Sequence, residues 1–202
     1  AILLTLFWIV AFDAGIFVAH YLQHKLPFLW AFHKVHHSAE VLTPVTVYRM
    51  HPVDDLLTGT MVGLLTGLVG GVFRFVYVGN VEQIFFLGLN AGLFLFYLVG
   101  YNLRHSHVWL PYPRALSHIF VSPAQHQIHH SNAARHYDKN LGFIFAIWDW
   151  MAGTLYVPKH KEELTFGLAD NEHLEYSGVI RLYFLPIRKL TAHYRRARDI
   201  AP

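Results

Sequence analysis

Residues 20–37 read His20-Tyr21-Leu22-Gln23-His24-Lys25-Leu26-Pro27-Phe28-Leu29-Trp30-Ala31-Phe32-His33-Lys34-Val35-His36-His37. Two histidine groups stand in this stretch, His20-x-x-x-His24 and His33-x-x-His36-His37. The second pattern returns as His126-Gln127-Ile128-His129-His130, and His105 and His107 lie between. Residues three and four apart share one face of a helix, so each group aims two or three ring nitrogens at one point. Neutral imidazole is the commonest protein ligand for transition metals. A structural zinc ion takes only four ligands, so this many imidazoles point to a centre of two metals.

Working outward, the residues before His20 are apolar. Ala1 to Ala19 contains one charge, Asp13. About 20 such residues cross a bilayer core of roughly 30 Å. The run lacks the basic start and cleavage site of a signal peptide. It begins at Ala1 without Met, and an upstream segment is expected. After the second histidine group, Leu56 to Phe73 is uncharged and glycine-rich, and Gln83 to Tyr101 is uncharged and aromatic. Arg74, Asn80 and Glu82 between them suit the tip of a helical hairpin. Gly59, Gly63, Gly67, Gly70 and Gly71 predict close helix packing in a membrane.

These runs predict an all-α integral membrane bundle of at least three spans. Two crossings separate the early histidines from the late ones, which returns both blocks to one face. Lys25, Lys34, Arg49, Arg104, Arg114, Arg188, Lys189, Arg195, Arg196 and Arg198 mark that face as cytoplasmic by the positive-inside bias. The expected location is a bacterial inner membrane or the endoplasmic reticulum, with a cytosolic histidine-rich cap. Phe143 to Tyr156 is too short for a span and predicts a helix in the interface or under the metals. The tail from Lys159 to Pro202 reads as part of the same single domain, residues 1–202.

Composition agrees with a membrane setting. Hydrophobic residues make up 54% of the chain and charged residues 14%, against about 25% charged in soluble domains. Mean hydropathy is +0.31. The 202 residues contain no Cys, so the chain has no disulfides, thiolate zinc sites or Cys-ligated clusters. A net charge of +3 with scattered basic residues gives no nucleic-acid footprint.

The ligand type narrows the metal. An all-nitrogen shell disfavours magnesium and calcium and suits iron, copper, zinc, nickel or manganese. Two redox-active irons would activate O2 for attack on an unactivated C–H bond, and a membrane brings lipids to them. Zinc, above iron in the affinity order, could fill the same shell in purified protein.

From Asp13 to Thr154 the chain resembles the fatty acid hydroxylase and sterol desaturase superfamily of membrane di-iron enzymes. The resemblance rests on Asp13, His20-x-x-x-His24, Leu29-Trp30-x-Phe32-His33-x-x-His36-His37-Ser38 and Arg49-x-His51-Pro52. It continues through His105-Ser106, Ser122-Pro123-x-x-His126-x-x-His129-His130, Asn140-x-Gly142 and Trp148-Asp149-x-x-x-Gly153-Thr154. It implies two irons, O2 and an external electron donor, cytochrome b5-like or ferredoxin-like. It also implies hydroxylation, desaturation or ether oxidation of a lipid or sterol. Tyr21 stands where the family often has Arg, and His107 where it often has Asn.

The expected ligands are His20, His24, His33, His36, His37, His105, His126, His129, His130 and His136. His107, Asp13, His51 and Asp149 are candidates for the metal or for hydrogen bonds to its ligands. Asp13 lies two helical turns before His20 and is expected to accept from that ring's far nitrogen. His118 reads as structural or channel-lining, and His160, His173 and His193 as surface residues of the tail. Three rival readings compete with this one. A membrane metal-binding or transport protein without oxidative chemistry would spread its ligands along a path. A metalloprotease needs His-Glu-x-x-His, which is absent. The intact boxes count against a non-enzymatic lipid-binding remnant, and the N-terminal segment expected to be missing leaves that reading open.

Overall fold

The computed structural model describes residues 1–77 and 82–200. Helix α1 (Ile2–Lys25) carries the apolar run straight on through His20 and His24. Leu26 is extended and ends α1, and Pro27 opens α2 (Pro27–His37). Proline suits this position because the first helical N–H has no partner within the helix. The second histidine group therefore sits on its own short helix, folded back beside the end of α1. A 3-10 turn at Pro44–Tyr48 leads to α3 (Pro52–Val76), whose first turn is capped by His51.

Among the described residues, α1 and α3 are the two helices long and apolar enough to cross a membrane. They lie against each other, and Gly15 is their closest approach. A Cβ at that position would come 2.7 Å from Val62 Cα. The glycines of α3 do not form the expected seam. A Cβ at Gly59, Gly63, Gly67, Gly70 or Gly71 would meet no other part of the described structure within 4 Å; contact runs along the glycine of the other helix.

The segment Gln83–Tyr101 departs from the expected span. Strands β1 (Phe85–Phe86) and β2 (Leu89–Asn90) pair antiparallel around Leu87 and Gly88, both at positive φ. Helix begins only at α4 (Ala91–Phe96), where Asn90 Oδ1 caps it, passes a π-helical turn at Tyr97–Tyr101 and ends as α5 (Asn102–Arg104). The turn-forming Gly88 and Asn90 break what composition alone reads as one helix. The segment still returns the chain. Asn90 Nδ2 donates to the Thr5 carbonyl at 3.4 Å, and His105, just past α5, meets His36 at 3.3 Å. Of the expected hairpin tip, Arg74 lies in the last turn of α3 and Asn80 lies outside the described residues.

Four short or amphipathic helices complete the body. These are α6 (Arg114–Ser117), α7 (Pro123–His129), α8 (Ile147–Ala152) and α9 (Val179–Ile200). Ser122 and Gln125 form a reciprocal capping box at the start of α7, the helix of the third histidine group. α8 ends at Gly153, where φ of 72° favours glycine. Leu182 and Leu185 of α9 pack on Val35, Leu168 and Tyr176, which fastens the tail to the back of α2.

Candidate metal centre

Nine histidines converge from α1, α2, α7 and the end of α5. His20, His24, His33, His37 and His129 form one group of five, and His36, His105, His126 and His130 form one group of four. Within each group the nearest ring nitrogens lie within 4.8 Å of one another. Each His-x-x-His-His unit divides between the groups. His33 and His37 of α2 turn to the first and His36 to the second. His126 and His130 turn to the second and His129 to the first. At 3.6 residues per turn, positions one and five lie about 40° apart around the helix, and positions four and five about 100° apart. The repeated spacing thus serves two neighbouring centres, with each helix lending one ring across.

The nitrogen geometry fits metal ions. In the five-membered group every Nε2 is buried without a hydrogen-bond partner, an arrangement that is costly unless something fills it. In the second group Nε2 of His105 lies 3.3 Å from His36, 3.1 Å from His130 and 3.0 Å from His126, and His126 lies 3.1 Å from His130. Bonds of about 2.1 Å give ligand edges of about 3.0 Å in an octahedron and about 3.4 Å in a tetrahedron. Three mutually touching Nε2 atoms cannot all be satisfied by shared protons. A metal satisfies them together.

The opposite nitrogens are held. His20 Nδ1 donates to the Leu141 carbonyl at 2.7 Å, His129 Nδ1 to Lys139 at 3.0 Å and His36 Nδ1 to Arg49 at 3.3 Å. Such bonds place the proton on Nδ1 and aim the Nε2 lone pair inward. His24 Nδ1 lies 3.4 Å from Asp138, and His33 Nδ1 3.6 Å from Asp54. Burial keeps the rings neutral, the form that binds metals. It lowers His33 and His36 to about 3 and His105 to about 2, with neighbouring rings or Arg104 adding to the shift of the last two. His37, His126, His129 and His130 are likewise held well below the usual histidine range, burial first and nearby charge second.

Two cavities reach the histidines, and they share none of them. One, of about 320 Å³, is lined by polar residues including Lys34, Asn132, Asp138 and Glu172 and touches His24, His37, His129 and His130. The other, of about 350 Å³, is walled by Phe12, Ile16, Val62, Tyr97, Tyr101 and Phe143 and touches His20, His33, His36, His105 and His126. The centre therefore has one approach of mixed polar and apolar character and one that is largely apolar.

Several expected site residues lie elsewhere. His136 joins neither group; its Nε2 pairs with Glu162 at 3.1 Å. His107 is exposed. His51 accepts from Val53 N–H and meets the Tyr183 carbonyl at 3.1 Å, tying α3 to α9. Asp13 does not bond His20. Its carboxylate accepts from Ile144 N–H at 2.6 Å, Phe145 N–H at 3.0 Å and Trp148 Nε1 at 2.8 Å. Asp149 accepts from Leu141 N–H at 2.7 Å, Gly142 N–H at 2.8 Å and Thr154 Oγ1 at 2.6 Å. Both carboxylates act through the 141–148 loop, which supplies the carbonyl that holds His20. Asn140 braces the same loop, donating to Gln125 at 3.0 Å and accepting from Tyr156 N–H at 2.7 Å. His118 bonds the Arg114 carbonyl, and His173 is largely covered, bonding the Leu168 carbonyl at 3.1 Å.

Two residues beside the histidines had no assigned site role. Asp54, fully buried, accepts from Gln23 at 3.2 Å and faces His33. An acidic residue in the first turn after His51-Pro52, entering an apolar run, was the available signal. Arg104 was counted among the basic residues of the cytoplasmic face. It is 4% exposed, donating to His126 Nδ1 and the Gly142 carbonyl, with its guanidinium 4.8 Å from the Phe143 ring centre.

The family model for fatty acid hydroxylases matches residues 5–154, and the chain belongs to that family. It is 29% identical over 161 residues to ornithine lipid hydroxylase OlsE of Rhizobium tropici, covering 79% of this chain and 44% of that protein. It is 27% identical over 164 residues to alkylglycerol monooxygenase of Caenorhabditis elegans, covering 80% and 28%. It is 29% identical over 165 residues to cholesterol 25-hydroxylase of Rattus norvegicus, covering 81% and 50%. The chain spans half or less of the length of these relatives. No solved structure matches it.

Proposed function

We propose that residues 1–202 form one membrane-embedded catalytic domain that oxidises a C–H bond of a lipid or sterol with O2. Nine histidines in two groups beside an apolar cavity carry this reading. Iron in both groups would supply the O2 chemistry when bound, with electrons from an external cytochrome b5-like or ferredoxin-like donor, and the same ligands could accept zinc in purified protein. His20, His24, His33, His37 and His129 hold one ion, and His36, His105, His126 and His130 the other. Two of these relatives are named hydroxylases and one a monooxygenase, which favours a hydroxylase over a desaturase.

The chain's own residues do the rest. The 141–148 loop, gripped by Asp13 and Asp149, fixes His20. Phe12, Ile16, Val62 and Phe143 seat the hydrocarbon and exclude water. α1 and α3 cross the bilayer, the shorter 91–104 helix returns the chain, and the histidine face is cytoplasmic. The deciding experiment is anaerobic iron loading of the purified protein, metal analysis, and lipid mass spectrometry after reaction with 18O2 and a reductant. Two irons per chain and one 18O atom in a lipid product are expected. Two bound metals with no oxygen incorporated into any lipid would defeat the reading.

A further inference from the structure

The apolar cavity carries one acidic group that the metal centre does not use. Asp55 lies in the first turn of α3 and lines this cavity beside Thr58, Gly59 and Val62. These positions, at i, i+3, i+4 and i+7, form one face of the helix. Asp55 is exposed at the open side of the cavity, and among the described residues no hydrogen bond or ion pair reaches its carboxylate. Its neighbours are engaged otherwise. Asp54 accepts from Gln23, and the Arg104 guanidinium is committed to His126 and Gly142. Among the described residues lining the cavity, Asp55 is the one carboxylate and Arg104 the one lysine or arginine. An ionisable residue on a membrane helix facing a cavity marks a binding function by default.

We propose that Asp55 selects lipids whose polar end carries an ammonium group. The cation pairs with the carboxylate at the α3 end of the cavity, and the chain lies along Ile16, Val62 and Phe12. His20, His36, His105 and His126 open into the same cavity, so the carbons near the charged end face the metal ligands. An ammonium adds the attraction of opposite charges to its contact with the carboxylate, which the hydrogen bond of an alcohol lacks. The inference rests on the apolar cavity being the lipid site, as proposed above, and names the class of lipid it takes.

The test measures binding, so it stands apart from turnover. Metal-loaded protein in an uncharged detergent is titrated with hexadecyltrimethylammonium, which cannot coordinate a metal, and with hexadecanol, below their micelle concentrations. Native mass spectrometry reads occupancy. The unaltered protein is expected to bind the cation at least tenfold more tightly than the alcohol. Asp55→Asn removes that preference and leaves alcohol affinity and metal content unchanged. Asp55→Glu restores the preference, and Glu163→Gln, an exposed acid of the tail, leaves it intact. A preference that survives Asp55→Asn overturns the proposal. So does an equal loss for both probes, or a loss that Asp55→Glu does not rescue. A protein that oxidises no lipid yet shows the Asp55-dependent preference defeats only the oxidative reading.

Discussion

Arg104 donates from Nη2 to Nδ1 of His126 at 2.8 Å, with both side chains buried. A guanidinium has no acceptor, so His126 must accept on Nδ1. A neutral ring then keeps its proton on Nε2, the atom 3.0 Å from His105. A metal bound through that nitrogen would take the proton's place, the proton leaving to solvent, and the adjacent positive charge would favour the anionic ring that results. Arg104→Gln removes the charge and can present an acceptor instead, which moves the proton to Nδ1 and frees the Nε2 lone pair. Metal content is expected to stay at two per chain, while fewer protons are released on metal loading than in the unaltered protein. Elemental analysis reads the stoichiometry and an indicator dye the proton release. Unchanged proton release in Arg104→Gln would refute this role.

The division of each histidine box makes a second prediction. His36→Ala takes a ligand from the group of four, and His33→Ala from the group of five. Each variant is expected to lose one metal and all turnover, with the remaining metal in a different ligand field. His136→Ala and His173→Ala should keep both metals, because those rings pair with Glu162 and the Leu168 carbonyl. Loss of metal in His136→Ala with the fold intact would redraw the centre.

Packing of the two long helices rests on Gly15. A Cβ there would meet Val62 Cα at 2.7 Å, whereas one at Gly63 meets nothing within 4 Å. Backbone cannot move aside as a side-chain tip can. Gly15→Ala is therefore expected to destabilise the protein by about 1–3 kcal/mol, the usual range for overpacking. Gly63→Ala should be neutral or slightly stabilising, since alanine is the better helix former. Thermal unfolding in one detergent compares them; equal melting temperatures would show that the helices do not meet at Gly15.

The histidine boxes were legible because their spacing is local, and so were both long apolar helices. What the sequence did not display depends on contacts between distant parts of the chain. Asp13 finds its partners at Ile144, Phe145 and Trp148, and nothing in the α1 run announces that loop. Helical spacing pointed Asp13 at His20, and the stronger demand of three unpaired N–H groups won. Arg104 looks like a flanking charge because it follows an apolar run, yet the fold buries it against His126. His136 follows its box closely in sequence, but the 3-10 turn at Ala134–His136 carries it to Glu162. The end of α3's glycine-rich pattern as a packing seam has the same origin: small residues permit contact without specifying which face receives it.

The tail is held to α2 by a charged clamp. Glu172 accepts from Lys34 at 2.8 Å and Lys189 at 2.8 Å. Burial opposes its ionisation, but the bonds from Lys189 and Lys34 outweigh it and lower its pKa from the usual 4.5. A carboxyl depressed in the folded state contributes stability above its unfolded pKa and loses it as pH falls through the folded one. Hydrogen exchange in α9 should therefore be flat from pH 7 to 5, after correction for intrinsic rates, and rise below about 4.5. Glu172→Gln should abolish that rise at a cost of about 1 kcal/mol or less, the scale of partly exposed pairs. An unchanged acid response in Glu172→Gln would assign it to other groups.

Topology gives the last prediction. The chain has no Cys, so single introduced cysteines report cleanly. Glu82 follows α3 and precedes the β1–β2 hairpin, whose Asn90 sits beside Thr5 near the start of α1. Ala192 is exposed on α9, the helix that packs behind the second histidine group. If α1 and α3 cross the bilayer, residue 82 and residue 192 lie on opposite sides of it. α3 supplies the length. Its 25 residues span about 37 Å at roughly 1.5 Å per residue, more than a hydrocarbon core of roughly 30 Å. A membrane-impermeant maleimide added outside sealed, right-side-out vesicles should label Glu82→Cys and spare Ala192→Cys, and inverted vesicles should reverse the pattern. Labelling of both from one side would mean that α3 does not cross, and the cytoplasmic placement of the histidine face would fall with it. The two histidine groups would stand regardless, because their convergence depends on α1, α2, α5 and α7 meeting one another and not on where the bilayer lies.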